Sequence, residues 1–213
     1  KNYIYPSSKE FNILRFNLIK NYLKKKKPDL VVHCAGLSRP MKIHDEDIVK
    51  SIDLNIIGTC NLVKACSLLN IKIIYFSTSY VYPGLKGGYK GEDPLLPANN
   101  YAWSKLGGES AVMLYKNSLI LRISMTEKPF IHKNAFKNFI TNFIFHDEVA
   151  KFLPKLFKYR GIINVGGPSQ SVYKFAKKYN PKIKGILIKK KRKEALRINY
   201  SMNTKKLKEI IND

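Results

Sequence analysis

Two apolar periods alternate along this chain, and that alternation constrains its fold more than any other feature. Short unbroken apolar runs, DLVVHC at 29–34, IKIIYF at 71–76, SLILRI at 118–123 and a stretch from Gly161 to Val165, are separated by segments in which apolar residues recur at helical spacing. A run without polar alternation reads as a strand covered on both faces, and recurrence at i, i+3 and i+4 reads as an amphipathic helix. Parallel neighbours need a crossover between them, and a helix supplies it. The expected class is α/β, a Rossmann-like doubly wound parallel sheet with helices on both faces and a small α+β region towards the carboxyl end. The spacing predicts a Lys-rich helix before Asp29. A single long helix is expected from about Asp45 to Leu69, carrying Ile48, Ile52, Asn55, Ile56, Thr59, Leu62, Val63 and Cys66 on one face. Further helices are expected at about Asn99 to Lys116, Phe145 to Phe157 and Thr204 to Ile211, with a strand at GILI (185–188).

The beginning departs from this scheme. A doubly wound domain that holds a dinucleotide opens with a strand running into a glycine-rich turn, where the backbone closes on the pyrophosphate. Here the first glycine is Gly36, so the first strand and its turn are expected to be missing. Starting at Lys1 rather than Met, the chain reads as a fragment of a longer protein. The expected partition is a partial nucleotide-binding domain over 1–125 and a small substrate-binding region over 126–213, interleaved with the last sheet strands.

The net charge of +24 raises the question of nucleic acid, since clustered basic residues are its electrostatic footprint. Lys supplies 33 of the 39 basic residues and Arg only 6, whereas phosphate and base readers lean on the guanidinium fork. The runs Lys24 to Lys27 and Lys189 to Lys193 read as solvated charge. No nucleic-acid partner is expected, and the positive field favours an anionic small substrate. No apolar run reaches the roughly 18 residues of a membrane span, so no membrane association is expected. Cys34, Cys60 and Cys66 fall in no disulfide or metal spacing, which suits a reducing cytoplasm, and neither His33 nor His44 has metal-ligand spacing.

Tyr101 and Lys105 form a Y-x-x-x-K pair on a predicted helix, where i, i+4 spacing places both side chains on one face. An ammonium beside a phenol lowers the phenol's pKa and makes it a usable general acid. The same pattern occurs at Tyr5/Lys9, Tyr22/Lys26, Tyr82/Lys86 and Tyr173/Lys177, so context has to choose among five. Tyr101 lies 23 residues after Thr78, a hydroxyl at the carboxyl end of a predicted strand, which is the sheet edge where ligands bind. A strand-end hydroxyl with a helical Tyr/Lys pair suits carbonyl reduction.

Four blocks in order, KPDLVVHCAG, FSTSYVYPG, PANNYAWSKLGGE and LILRIS, resemble the dTDP-4-dehydrorhamnose reductases among the extended short-chain dehydrogenases/reductases. The resemblance runs from about Lys9 to Leu207, with a shortened middle and carboxyl half. It implies NADP or NAD as cofactor and reduction of the 4-keto group of a nucleotide-linked deoxysugar. It further implies that Thr78 holds the substrate oxygen, Tyr101 donates the proton, and Lys105 tunes Tyr101 and touches the cofactor ribose. Cys34, Ala35 and Gly36 match the segment along the cofactor, Asn55 and Ser77 match positions near it, and Arg122, Ile123 and Ser124 match the segment beside the nicotinamide. Asn12 stands where relatives have an Asp near the adenine. Ser7, Ser8 and Lys9, with no acidic residue to take a ribose hydroxyl, lean towards NADP. A homodimer is one assembly the resemblance allows.

Ser79-Tyr80 stands where dehydratases of the wider group carry Asp-Glu, which disfavours dehydration, and reductases usually have Asp at the first of these positions. Two other functions share this sequence logic: an epimerase, which uses the same Tyr/Lys pair, and a non-catalytic regulatory subunit. Structural readings stand beside the functional ones. A strand-end Thr such as Thr78 can satisfy itself on local backbone. Trp103 reads as packing or a pocket wall, Cys34 as an inert thiol, Asp147 as a helix cap, and Gly166-Gly167-Pro168 as a turn.

Overall fold

The computed structural model describes residues 3–189 and 195–212. Of the late lysine run, everything after Lys189 lies outside the described residues. The chain divides into two compact units, Lys1–Ser77 with Asn99–Ile120, and Thr78–Ala98 with Leu121–Asp213.

In the first unit, α1 (Phe16–Lys26) leads into β1 (Leu30–His33), and β2 (Lys72–Thr78) pairs with β1 in parallel, Leu30 opposite Lys72 and His33 opposite Tyr75. The strand order continues from β2 to β3 (Ser118–Ile123). Every residue of β3 is buried, as a strand without polar alternation requires. α1 stops where Lys27 takes a left-handed conformation (φ 45°) and its N–H closes on the Leu23 carbonyl, 2.8 Å away. Ile19 and Leu23, one turn apart on α1, are buried.

The long helix expected from Asp45 to Leu69 is four pieces: α2 (Ile43–Glu46), α3 (Ile48–Ile52), a π-helical turn (Asp53–Ile57) and α4 (Gly58–Leu68). Asp47 causes the first break, because its carboxylate accepts from the Lys50 amide (2.9 Å) and restarts the helix as an N-cap. The expected inward face divides accordingly. Ile48 and Ile52 are exposed, whereas Asn55, Thr59, Leu62, Val63 and Cys66 are buried. α5 (Asn100–Met113) lies against the π turn and α4. Its Asn99 cap accepts from the Ala102 amide at 2.8 Å.

The second unit contains β8 (Gly161–Val165), which lies next to β3, together with α6 (His146–Leu156), α7 (Val172–Lys177) and α8 (Lys205–Asn212). Three two-stranded sheets complete it. β4 (Met125–Thr126) pairs with β7 (Ile144–Phe145), β5 (Asn134–Phe136) with β10 (Lys184–Ile186), and β6 (Ile140–Thr141) with β9 (Gln170–Ser171). Of these two- and three-residue strands only β10 overlaps an expected one, GILI at 185–188; the others and α7 were not foreseen, being too short to set up a period of their own. Phe130, Phe145, Val172, Phe175 and Ile183 form a core.

The division differs from the expected cut at 125/126, because residues 78–98 group with the carboxyl half. The reason is chemical. Tyr82 stacks on Tyr89 (4.8 Å between centroids, planes 4° apart), accepts a hydrogen bond from Arg122 Nη1 (2.9 Å), and has its hydroxyl 2.7 Å from Asn164 Oδ1. Asn164 in turn donates to the Tyr89 carbonyl (2.8 Å).

Two smaller expectations are resolved here. α6 is capped by Glu148, which accepts from the Phe145 amide at 3.0 Å, and not by Asp147, whose carboxylate pairs with Lys128 at 3.9 Å. Gly166-Gly167 is a close-packed turn: a Cβ on Gly166 would lie 2.5 Å from the Asn142 carbonyl oxygen, and Gly167 N–H donates to that oxygen at 2.9 Å. No helix among the described residues is long and apolar enough to cross a membrane.

Candidate active site

α5 carries Tyr101, Lys105 and Glu109 at successive i+4 positions, hence on one face. Lys105 and Glu109 are buried. The Lys105 ammonium lies 4.2 Å from the centre of the Tyr75 ring, and the Tyr75 hydroxyl donates to the Lys105 carbonyl (3.0 Å). Burial pulls the Lys105 pKa down to about 8, while the nearby Cys34 and Glu109 act in the opposite direction. Glu109 accepts from Ser77 Oγ at 2.5 Å, so Ser77 holds this buried carboxylate.

Asn55 faces inward from the π turn, a distortion that recurs at functional sites. Its Oδ1 accepts from the Leu37 amide (2.7 Å), and its Nδ2 donates to the Leu37 carbonyl (2.9 Å) and to Ser104 Oγ (2.8 Å). Ser104 Oγ in turn donates a hydrogen bond to the Tyr101 carbonyl (2.8 Å). One side chain thus ties the segment after β1 to the turn of α5 that bears Tyr101. Gly36 is required there, since its φ of +152° is unfavourable for other residues and a Cβ would stand 2.8 Å from Asn55 Oδ1.

Cys34, Ala35 and Gly36 are exposed, forming an open backbone strip at the carboxyl end of β1. Although Cys34 keeps exposed surface, desolvation by the atoms packed around it raises the thiol pKa, and Lys105 opposes the rise. His33, beneath this strip, is buried with Nε2 2.9 Å from Thr59 Oγ1. Thr59 donates its hydroxyl to the Asn55 carbonyl (2.8 Å), so the proton between Thr59 and His33 belongs to Nε2. Burial lowers the His33 pKa to about 3, and the Lys105 charge adds to the effect. Asn12 uses its side chain locally, accepting from the Leu14 amide (2.9 Å) just before α1.

The remaining expected residues belong to the second unit. Thr78 is buried, and its Oγ1 accepts from the Tyr80 amide at 3.3 Å, leaving the hydroxyl proton free to be donated. Arg122 directs its guanidinium to the Tyr82 hydroxyl and the Gly91 carbonyl (2.8 Å) and stacks over the Tyr82 ring, so it is a strut of this unit. Ser124 Oγ lies 2.6 Å from Thr141 Oγ1, and its amide donates to the Val165 carbonyl (3.1 Å). Ile123 is buried beside it in sequence.

Sequence reasoning missed Tyr75, Glu109 and His44. Glu109 was within reach, standing one turn beyond Lys105 on the same helical face. Tyr75 and His44 gave no signal, because their roles depend on a strand and a helix meeting α5. Among the described residues no three of His, Cys, Asp and Glu are grouped as metal ligands.

A parallel-strand sheet flanked by helices, with Tyr and Lys one turn apart on the helix after β2, defines a Rossmann-like protein of the extended short-chain dehydrogenase/reductase type. Within that class the chain belongs to the family described as the RmlD substrate binding domain, which matches residues 1–150. It is 33% identical over 121 residues to methionine adenosyltransferase 2 subunit beta of Pongo abelii, covering 55% of this chain and 35% of that protein. It is 34% identical over 90 residues to the dTDP-4-dehydrorhamnose reductase of Mycolicibacterium smegmatis, covering 41% of this chain and 27% of that protein. The chain thus aligns with about a third or less of the length of these curated relatives. In three dimensions it resembles a hypothetical dTDP-4-dehydrorhamnose reductase from Sulfolobus tokodaii, with TM-score 0.80 and 26% identity over 93% of this chain and 79% of that one.

Proposed function

We propose that this chain carries the proton-donating machinery of a nicotinamide-dependent reductase acting on the 4-keto group of a nucleotide-linked deoxysugar. The observation that carries the reading is the pairing on α5: Tyr101 one turn from a buried Lys105 whose pKa is lowered to about 8. An ammonium kept out of water acts more strongly on a neighbouring phenol than an exposed one. Bound NADPH or NADH supplies a hydride to the carbonyl carbon, and this chain supplies the proton that completes the alcohol. Tyr101 donates it to the carbonyl oxygen, Lys105 holds the phenol acidic enough to do so, and Thr78 carries the hydroxyl that the family resemblance assigns to the substrate. The cofactor would lie along the exposed strip Cys34–Gly36, which Asn55 stiffens. Ser77, Arg122, Ile123 and Ser124 would support its nicotinamide side, and Asn12 its adenine. The lean towards NADP rests on Ser7, Ser8 and Lys9 alone.

The test is to incubate the purified protein with NADPH or NADH and dTDP-4-keto-6-deoxyglucose and follow absorbance of the reduced cofactor. Stoichiometric oxidation supports the reading. Cofactor that stays bound and unconsumed while the sugar is epimerised would replace it with the epimerase reading. A second reading is favoured by the match to methionine adenosyltransferase 2 subunit beta: a binding protein that retains the fold and does no chemistry. Stable association with a methionine adenosyltransferase catalytic subunit, undisturbed by Tyr101→Phe and without oxidation of either cofactor, would establish it.

A further inference from the structure

His44 lies on α2, buried, with Nδ1 2.7 Å from Ser51 Oγ of α3. Its ring centroid is 5.2 Å from that of Tyr101, the planes inclined by 57°. The other nitrogen, Nε2, is also buried and has no hydrogen-bond partner among the described residues. A buried polar atom left unmatched is uncommon in native proteins and costs stability. A leucine or phenylalanine would fill the same space without that cost, so contact with Tyr101 does not by itself explain a histidine. Ser51 accounts for Nδ1 only.

The helix bearing His44 is pinned to the start of α5 by a second contact, since Asn100, the residue before Tyr101, donates to Asp45 Oδ1 at 2.8 Å. Burial lowers the His44 pKa, Asp45 partly opposing, so the ring is neutral near pH 7 with one nitrogen a donor and the other an acceptor. The other titratable groups on the elements around it are Glu46 on α2, Lys50 on α3 with Asp47 as its cap, and Tyr101, Lys105 and Glu109 on α5. Glu46 is paired with Lys42 (3.3 Å), and Asp47 caps α3.

We propose that His44 is a positioning residue for Tyr101: Ser51 fixes the imidazole, the imidazole fixes the plane of the phenol ring, and Nε2 gains its hydrogen bond when a ligand engages Tyr101. This rests on Tyr101 being the proton donor of the proposed reduction.

The experiment compares the parent protein with H44F, which keeps a ring and removes both nitrogens, and with H44Q, which restores a polar atom near Nε2. Two readouts are taken. One is kcat and KM with NADPH and dTDP-4-keto-6-deoxyglucose. The other is the Cζ NMR resonance of Tyr101 across pH, assigned with Y101F. The expected result is a folded H44F with kcat reduced roughly tenfold to a hundredfold. KM for NADPH should be unchanged, the Tyr101 titration shifted, and kcat partly recovered in H44Q. An H44F protein with parental kcat and parental Tyr101 titration overturns the proposal. If the parent oxidises no NADPH, the reductase reading fails. The Tyr101 resonance then decides alone: a shift in H44F supports positioning and no shift refutes it. Should H44F not fold, H44N, which retains an amide for Ser51, is read in the same way.

Discussion

The Lys105 ammonium rests 4.2 Å from the centre of the Tyr75 ring, and the Tyr75 hydroxyl returns a hydrogen bond of 3.0 Å to the Lys105 carbonyl. Strand β2 thereby grips α5 at Lys105. The ring's negative face partly replaces the water that burial removes, an interaction of roughly 0.5–2 kcal/mol.

A pH dependence follows. Lys105 titrates at about 8, so its ammonium is present below that pH and lost as pH rises through it. Reductase activity should therefore decline on the alkaline side with a midpoint near 8, and Lys105→Met should lack that limb and stay at its floor throughout. A pH–rate profile of both proteins checks this; a flat parental profile from pH 7 to 9.5 would contradict it.

Asn55 is expected to be costly to replace. Asn55→Leu keeps the volume but strands the Leu37 amide and carbonyl and removes the bond that Ser104 Oγ accepts. A loss of about 2–4 kcal/mol in urea unfolding is expected, together with weaker cofactor binding by fluorescence titration.

Adjacent glycines on α5 should behave differently. A Cβ on Gly108 would lie 2.4 Å from the Asn55 carbonyl oxygen, a backbone atom that cannot move aside, whereas on Gly107 it meets the flexible end of Ile56 at 2.7 Å. Alanine gains about 1 kcal/mol of helix propensity at either site. Gly107→Ala should fall near neutral and Gly108→Ala should lose roughly 1–3 kcal/mol net, as thermal denaturation of the two variants will read.

Acid should weaken the fold through His33. Its folded pKa of about 3 is below the ordinary 6.5, so the unfolded chain binds the proton first. The neutral ring's contribution is fully present above 6.5 and is lost as pH falls towards 3. His33→Gln, which keeps a donor for Thr59 and does not titrate, should flatten the decline of unfolding free energy between pH 6.5 and 4. His44, shifted the same way, leaves part of the slope in place.

What the sequence revealed depended on how local the cause was. β3 and β8 matched their expected bounds, because unbroken apolar runs follow from burial on both faces. Tyr101 and Lys105 were placed on one face by helical spacing alone. The break at Asp47 was written locally, as an acidic side chain able to cap, yet the apolar period across it concealed the stop. The π turn at Asn55 could not be read, since it is held by Leu37 and Ser104, 18 and 49 residues away. Arg122 was expected at the cofactor by resemblance; that it also engages Tyr82, 40 residues earlier and itself stacked on Tyr89, could not be read, since no period links them.

The central claim, that Tyr101 donates the proton in a nicotinamide-dependent reduction, is tested most directly by comparing kcat of the parent and Tyr101→Phe with NADPH and dTDP-4-keto-6-deoxyglucose. Loss of the phenol proton should lower kcat by roughly a hundredfold or more while leaving NADPH binding and the unfolding temperature unchanged. A Tyr101→Phe protein that turns over at the parental rate would contradict the account.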